Sequence, residues 1–141
     1  MPLIARRVFV LLAAAATVEA PAMLRADVIS IDPDSYAAVA YSPSTGAYHY
    51  AYGYGSRASA ERAALHGCKK SDARIVCWVH NGFCALAVGN DRSTWGVGWS
   101  YGDGASNQEA IRYALDECRK RTTGAYILVC LSSDGQYVYR R

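Results

Sequence analysis

A pattern that returns about every 50 residues constrains this chain more than any other feature. Tyr50-Ala-Tyr-Gly53 returns 49 residues later as Trp99-Ser-Tyr-Gly102, Leu65 and Cys68 return 50 residues later as Leu115 and Cys118, and Cys77 returns 53 residues later as Cys130. A fixed period of this size marks a supersecondary unit written twice, here over about residues 36–80 and 83–132.

Each unit reads as β-β-α-β. In the first, Tyr36–Ser42 is a short strand, Pro43-Ser-Thr-Gly46 carries turn residues, and Ala47–Tyr54 alternates strictly between large and small. Ser56–Lys69 is helical in composition, with Ala60, Ala64, Leu65 and Cys68 on one stripe, and Arg74–His80 is a β-branched strand. The second unit runs Phe83–Gly89, Thr94–Tyr101, a helix over Ser106–Lys120, and Ala125–Ser132. Ser106-Asn-Gln-Glu109 is a capping box, and Ala110, Ile111, Ala114, Leu115 and Cys118 follow helical spacing behind it. Asn81-Gly82 predicts a two-residue hairpin joining the units, and Asp134-Gly135 predicts another before a short final strand, Gln136–Tyr139. The expected fold is α+β: two β-β-α-β repeats forming an antiparallel sheet, with both helices packed on one face.

Strict alternation sorts the side chains of the second strand of each unit. Tyr48, Tyr50, Tyr52 and Tyr54 share one face, as do Trp95, Val97, Trp99 and Tyr101; Ala, His, Gly and Ser occupy the other faces. Two readings follow. The rings pack against the alanine-rich helices, large filling small, or they form an exposed platform that stacks on sugar rings. Packing is the favoured reading, because contiguous exposed apolar patches are uncommon on monomers. Tyr48, Tyr54, Trp95 and Trp99 are the candidate ligand-facing aromatics.

Residues 1–26 read as an export signal. Arg6 and Arg7 precede an apolar stretch, Val8–Ala16, and small residues follow at Ala20, Ala22 and Ala26. Cleavage after Ala22 or Ala26 fits best, with Ala26 preferred, leaving a single domain over about 27–141. Removal of the segment changes the charge. The whole chain is formally +3, but without residues 1–26 it holds 12 basic and 11 acidic residues. Nearly balanced charge gives no electrostatic case for nucleic acid, and no apolar run reaches the roughly 18–20 residues that span a bilayer. Periplasmic or secreted localisation is expected.

Five cysteines in a small exported domain point to disulfides, and five is odd. Repeat symmetry suggests Cys68 with Cys77 and Cys118 with Cys130, leaving Cys84 over; a Cys84–Cys130 bridge is the alternative. Cys77-x-x-His80-x-x-x-Cys84 has faintly metal-like spacing but straddles a turn and lacks a fourth ligand. No metal and no cofactor are expected. Gly102-Asp-Gly104 precedes a helix but lacks the phosphate-loop patterns, and a turn is the better reading. His49 and His66 are expected at the surface.

The sequence also resembles a known family. Tyr36-Ala-Ala-Val-Ala-Tyr-Ser-Pro-Ser-Thr-Gly46, the Tyr54-Gly-Ser-Arg57 entry into an alanine-rich helix ending in Cys68, and Asn81-Gly-Phe-Cys-Ala-Leu-Ala-Val88 followed by Trp95-Gly-Val-Gly-Trp99 are similar to the exported bacterial family called domain of unknown function 4189. The resemblance spans about residues 35–131. It implies a bridge between Cys84 and Cys130, export, and no defined activity.

Three functions are carried forward. The first is a non-catalytic envelope module, of inhibitor or immunity type among others, that binds a protein or glycan. The second is a thiol enzyme or hydrolase using Cys84 or Cys77 with His80. The third is a structural envelope protein. The absence of an assembled catalytic constellation favours the first.

Overall fold

The computed structural model describes residues 31–141; the expected export segment lies outside the described residues. The elements in chain order are β1 (Tyr36–Tyr41), β2 (Tyr48–Tyr54), α1 (Arg57–Cys68), β3 (Arg74–His80), β4 (Gly82–Val88), β5 (Gly96–Tyr101), α2 (Asn107–Arg119), β6 (Tyr126–Ser132) and β7 (Val138–Arg140). Every strand and helix read from the residue pattern forms. Ser56 and Ser106 cap the helices, accepting from the backbone N–H of Ser59 and Glu109. No helix among the described residues is long and apolar enough to cross a membrane.

The fold is α+β, but its layers differ from the expected ones. The strands form two antiparallel sheets, β2-β1-β3 and β5-β4-β6-β7, rather than one. The two sheets lie face to face. Ala37, Val39, Tyr41, Cys77 and Val79 of the first pack with Cys84, Leu86, Val88, Val129 and Leu131 of the second in one buried cluster. Each helix covers the outer face of its own sheet, α1 over Ala38, Ala40 and Ala51, α2 over Phe83, Ala85, Ala87 and Ile127. The reason is visible in β4, which is buried along its whole length. A central strand apolar on both faces needs cover on both, and helices on one face of a single sheet would leave the other wet.

Asn81-Gly82 is accordingly not a hairpin. β3 and β4 belong to different sheets, and the chain crosses from one to the other at this point. Asn81 alone takes a left-handed backbone, at φ 51, a conformation that Asn tolerates better than most residues. Gly82 is needed for space instead: a Cβ there would lie 2.3 Å from the carbonyl oxygen of Ser100. A polar knot holds the corner. The Asn81 side chain accepts from the Ser35 N–H at 3.1 Å, and Ser133 Oγ meets Ser35 Oγ at 2.8 Å and the Gly82 N–H at 3.2 Å. Asp134-Gly135 does turn a hairpin, between β6 and β7, with Gly135 at φ 79.

The rings of β5 do not pack on a helix, contrary to the favoured expectation. Gly96, Gly98 and Ser100 are buried on the helix side, and α2 sits so close that a Cβ on Gly98 would lie 2.0 Å from the Ala110 carbonyl oxygen. Small residues admit the helix backbone itself, which leaves Trp95, Val97, Trp99 and Tyr101 to the opposite side. On β2 it is likewise Ala51 that is buried beneath α1. Leu65, expected on the buried stripe of α1, is 39% exposed; Ala60, Ala64 and Cys68 carry that contact.

Candidate functional site

β3 is the outer strand of the first sheet and β5 the outer strand of the second, and the two edges meet on one side of the sandwich. All three tryptophans of the chain, Trp78, Trp95 and Trp99, stand on or beside these strands. The Trp99 indole N–H donates to the backbone carbonyl of Trp78 at 2.8 Å. An edge strand presents carbonyls with no ladder partner, and here a ring from the other sheet fills that role. Its N–H thus satisfied, the Trp99 ring remains 39% exposed.

Trp99 divides two cavities. One, of about 420 Å³, is bounded by Ser93, Trp95, Val97, Trp99, Glu117 and Arg121. The other, of about 450 Å³, is lined by Trp78, Val79, His80, Trp99 and Tyr101. Among the described residues Tyr101 is the most exposed large ring, at 73%. Two arginines brace the aromatics: the Arg57 guanidinium lies 4.2 Å from the Trp78 ring centre and that of Arg74 lies 5.8 Å from the Trp95 ring centre. From the inner side, Tyr41 meets Trp95 edge-on at 5.7 Å. The floor is therefore aromatic and apolar, and the rim is polar. Glu117 is held ionised on that rim: the hydrogen bond and charge of Lys120, with Arg121 beside it, keep its carboxyl below the ordinary range. The His80 ring stacks on Tyr36 at 4.2 Å, and its Nε2, with no hydrogen-bond partner, lies 3.5 Å from Asp34 Oδ1.

Of the four candidate aromatics, the structure brings Trp95 and Trp99 together and sets Tyr48 and Tyr54 apart. Both tyrosines lie on β2, the opposite edge of the first sheet. The Tyr48 hydroxyl donates to the Arg141 carbonyl at 3.2 Å, while Tyr54 is 38% exposed at the end of its strand. Trp78 and Tyr101 join the site without having been among the four candidates, and His80, expected beside a thiol, lines the second cavity instead. Tyr101 shares a face with Trp99 by simple alternation, but nothing in the local pattern says that β3 will lie against β5.

All five cysteines are buried thiols. Cys68, at the end of α1, packs on the outer face of the first sheet, whereas Cys77 points inward. Cys84 points inward in the second sheet and Cys130 outward. The Cys68–Cys77 and Cys84–Cys130 pairings would each have to pass through a sheet. Cys118 and Cys130 share the cluster beneath α2. The proposed thiol–imidazole pair is not assembled either. Cys77 and Cys84 are 1% and 0% exposed in the inter-sheet core, and His80 lies on the outer side of its strand. The Cys84 contact and burial push the Cys77 thiol well above its ordinary range, the reverse of what a nucleophile needs. No cluster of three ligating side chains that could hold a metal ion is found among the described residues.

Residues 36–130 match the family described as Domain of unknown function (DUF4189). The chain belongs to that family. No curated protein and no solved structure matches it. The DUF4189 match takes in β1 through most of β6, and so includes Trp78, Trp95, Trp99 and Tyr101. It ends before β7.

Proposed function

We propose that this DUF4189 chain is an exported, non-catalytic binding module of the cell envelope that holds a saccharide in the cleft between β3 and β5. One observation carries the reading: the exposed Trp99 ring, flanked by Trp78, Trp95 and Tyr101 and rimmed by Ser93, Glu117 and Arg121. A sugar ring has an apolar C–H face and a hydroxyl equator. A flat aromatic floor with hydrogen-bonding groups at its edge complements both. Export rests on the residue pattern of positions 1–26 and agrees with an envelope ligand.

Co-sedimentation with insoluble peptidoglycan tests the reading. The chain without residues 1–26 is expected in the pellet, released by soluble glycan fragments, and Trp99→Ala is expected in the supernatant. Wild-type protein left in the supernatant would remove the saccharide reading. Stoichiometric capture of one envelope protein in its place would favour an inhibitor or immunity-type role.

A further inference from the structure

Cys77 and Cys84 come from different sheets and meet inside the molecule. Cys77 precedes the Asn81-Gly82 corner by four residues and Cys84 follows Asn81 by three. Both side chains are buried in the same inter-sheet cluster, on strands that contact each other. Stacked sheets ordinarily stand about 10 Å apart, too far for most disulfides. Here the chain passes from one sheet to the other only a few residues away, so β3 and β4 approach each other at the corner. None of the other three thiols shares this cluster: Cys68, on α1, lies in the cluster between α1 and the first sheet, and Cys118, on α2, and Cys130, on β6, lie in the cluster between α2 and the second sheet.

We propose that Cys77 and Cys84 form a disulfide that ties the two sheets together at the corner. The bond forms by exchange with a disulfide oxidant, a small-molecule or protein disulfide. One thiolate attacks the oxidant to give a mixed disulfide and releases the first oxidant thiolate. The second thiolate then displaces the other. Two electrons pass to the oxidant, and the two protons lost by the cysteines are taken up by its two leaving thiolates. Closure occurs while the chain folds, because neither thiol is accessible once the sheets have met. The two remain paired with each other whatever the saccharide cleft binds.

Oxidative refolding of the full-length chain tests this directly. Reduced, denatured protein is refolded in a mixture of reduced and oxidised glutathione, denatured again without reductant, alkylated and digested with trypsin. Cys77 and Cys84 fall in one tryptic peptide, residues 75–92, because no Lys or Arg lies between Arg74 and Arg92. That peptide is expected two hydrogens lighter than its reduced form and free of alkylation. A further cut after Trp78 or Phe83 should leave its pieces joined until reductant is added. Alkylation of both residues, or Cys84 linked to Cys130, would overturn the proposal.

Discussion

The Trp99 indole reaches across from one sheet to donate a hydrogen bond, at 2.8 Å, to the backbone of Trp78 in the other. This contact seals the edge of β3 and fixes the ring that separates the two cavities. Trp99→Phe keeps a ring but loses the donor. Because the site is open to water, which replaces the lost partner, a stability loss of only about 0.5–1.5 kcal/mol is expected in urea titration. Saccharide binding should weaken more than the folded state does.

The approach of α2 to β5 gives a second prediction. A methyl group on Gly98 would lie 2.0 Å from the Ala110 carbonyl oxygen and 2.6 Å from the Ala114 nitrogen, both backbone atoms that cannot rotate away. Gly98→Ala is expected to displace the helix and to destabilise the protein by about 1–3 kcal/mol. Chemical denaturation measures it. A Gly53→Ala control has free space, with nothing within 4 Å, and its left-handed φ of 75 sets only the smaller cost of backbone strain.

The start of α2 contains a relay in place of a simple capping box. Ser106 Oγ accepts from the Glu109 N–H at 3.2 Å, but the Glu109 carboxylate does not reach back to Ser106. Ser100 stands between them, accepting from the Ser106 N–H at 2.9 Å and donating to Glu109 Oε2 at 2.7 Å. Ser100→Ala leaves a partly buried backbone donor and a carboxylate without that partner. A loss of about 1–3 kcal/mol is expected in thermal or urea melts.

Asp72 predicts acid sensitivity. It accepts from Ser42 Oγ at 2.5 Å and from the Ser44 N–H at 2.9 Å, joining the β1–β2 turn to the segment before β3. The Ser42 bond first, then the Ser44 backbone bond, lower its pKa to about 2. A depressed carboxyl binds fewer protons folded than unfolded. Its stabilisation is therefore full above the unfolded value near 4 and is lost as pH falls through about 2. Wild type should lose stability over that window, and Asp72→Asn should show a shallower decline. Parallel acid titrations of the two proteins by circular dichroism compare them.

Local structure was legible because local chemistry decides it. Ser56 and Ser106 mark the helix starts, and strict alternation over Tyr48–Tyr54 and Gly96–Tyr101 marks two strands. The partition into two sheets was not. Asn81-Gly82 satisfies a hairpin turn by composition, yet at this position Gly is required by the nearness of Ser100, a contact far along the chain. The same holds for the aromatic faces. Alternation separates rings from small residues but does not say which side a helix will choose, and α2 takes the glycine side because its backbone fits there. The pairing of Trp99 with Trp78 follows only once both edges are in place.

Intrinsic fluorescence offers the most direct test of the saccharide cleft, because every tryptophan of the chain lies at it. Titration of the protein with soluble peptidoglycan fragments should give a saturable change in emission. Trp99→Ala should weaken the affinity at least tenfold while keeping the wild-type far-ultraviolet circular dichroism. A spectrum that stays flat through saturating fragment, or equal affinities for the two proteins, would contradict the account.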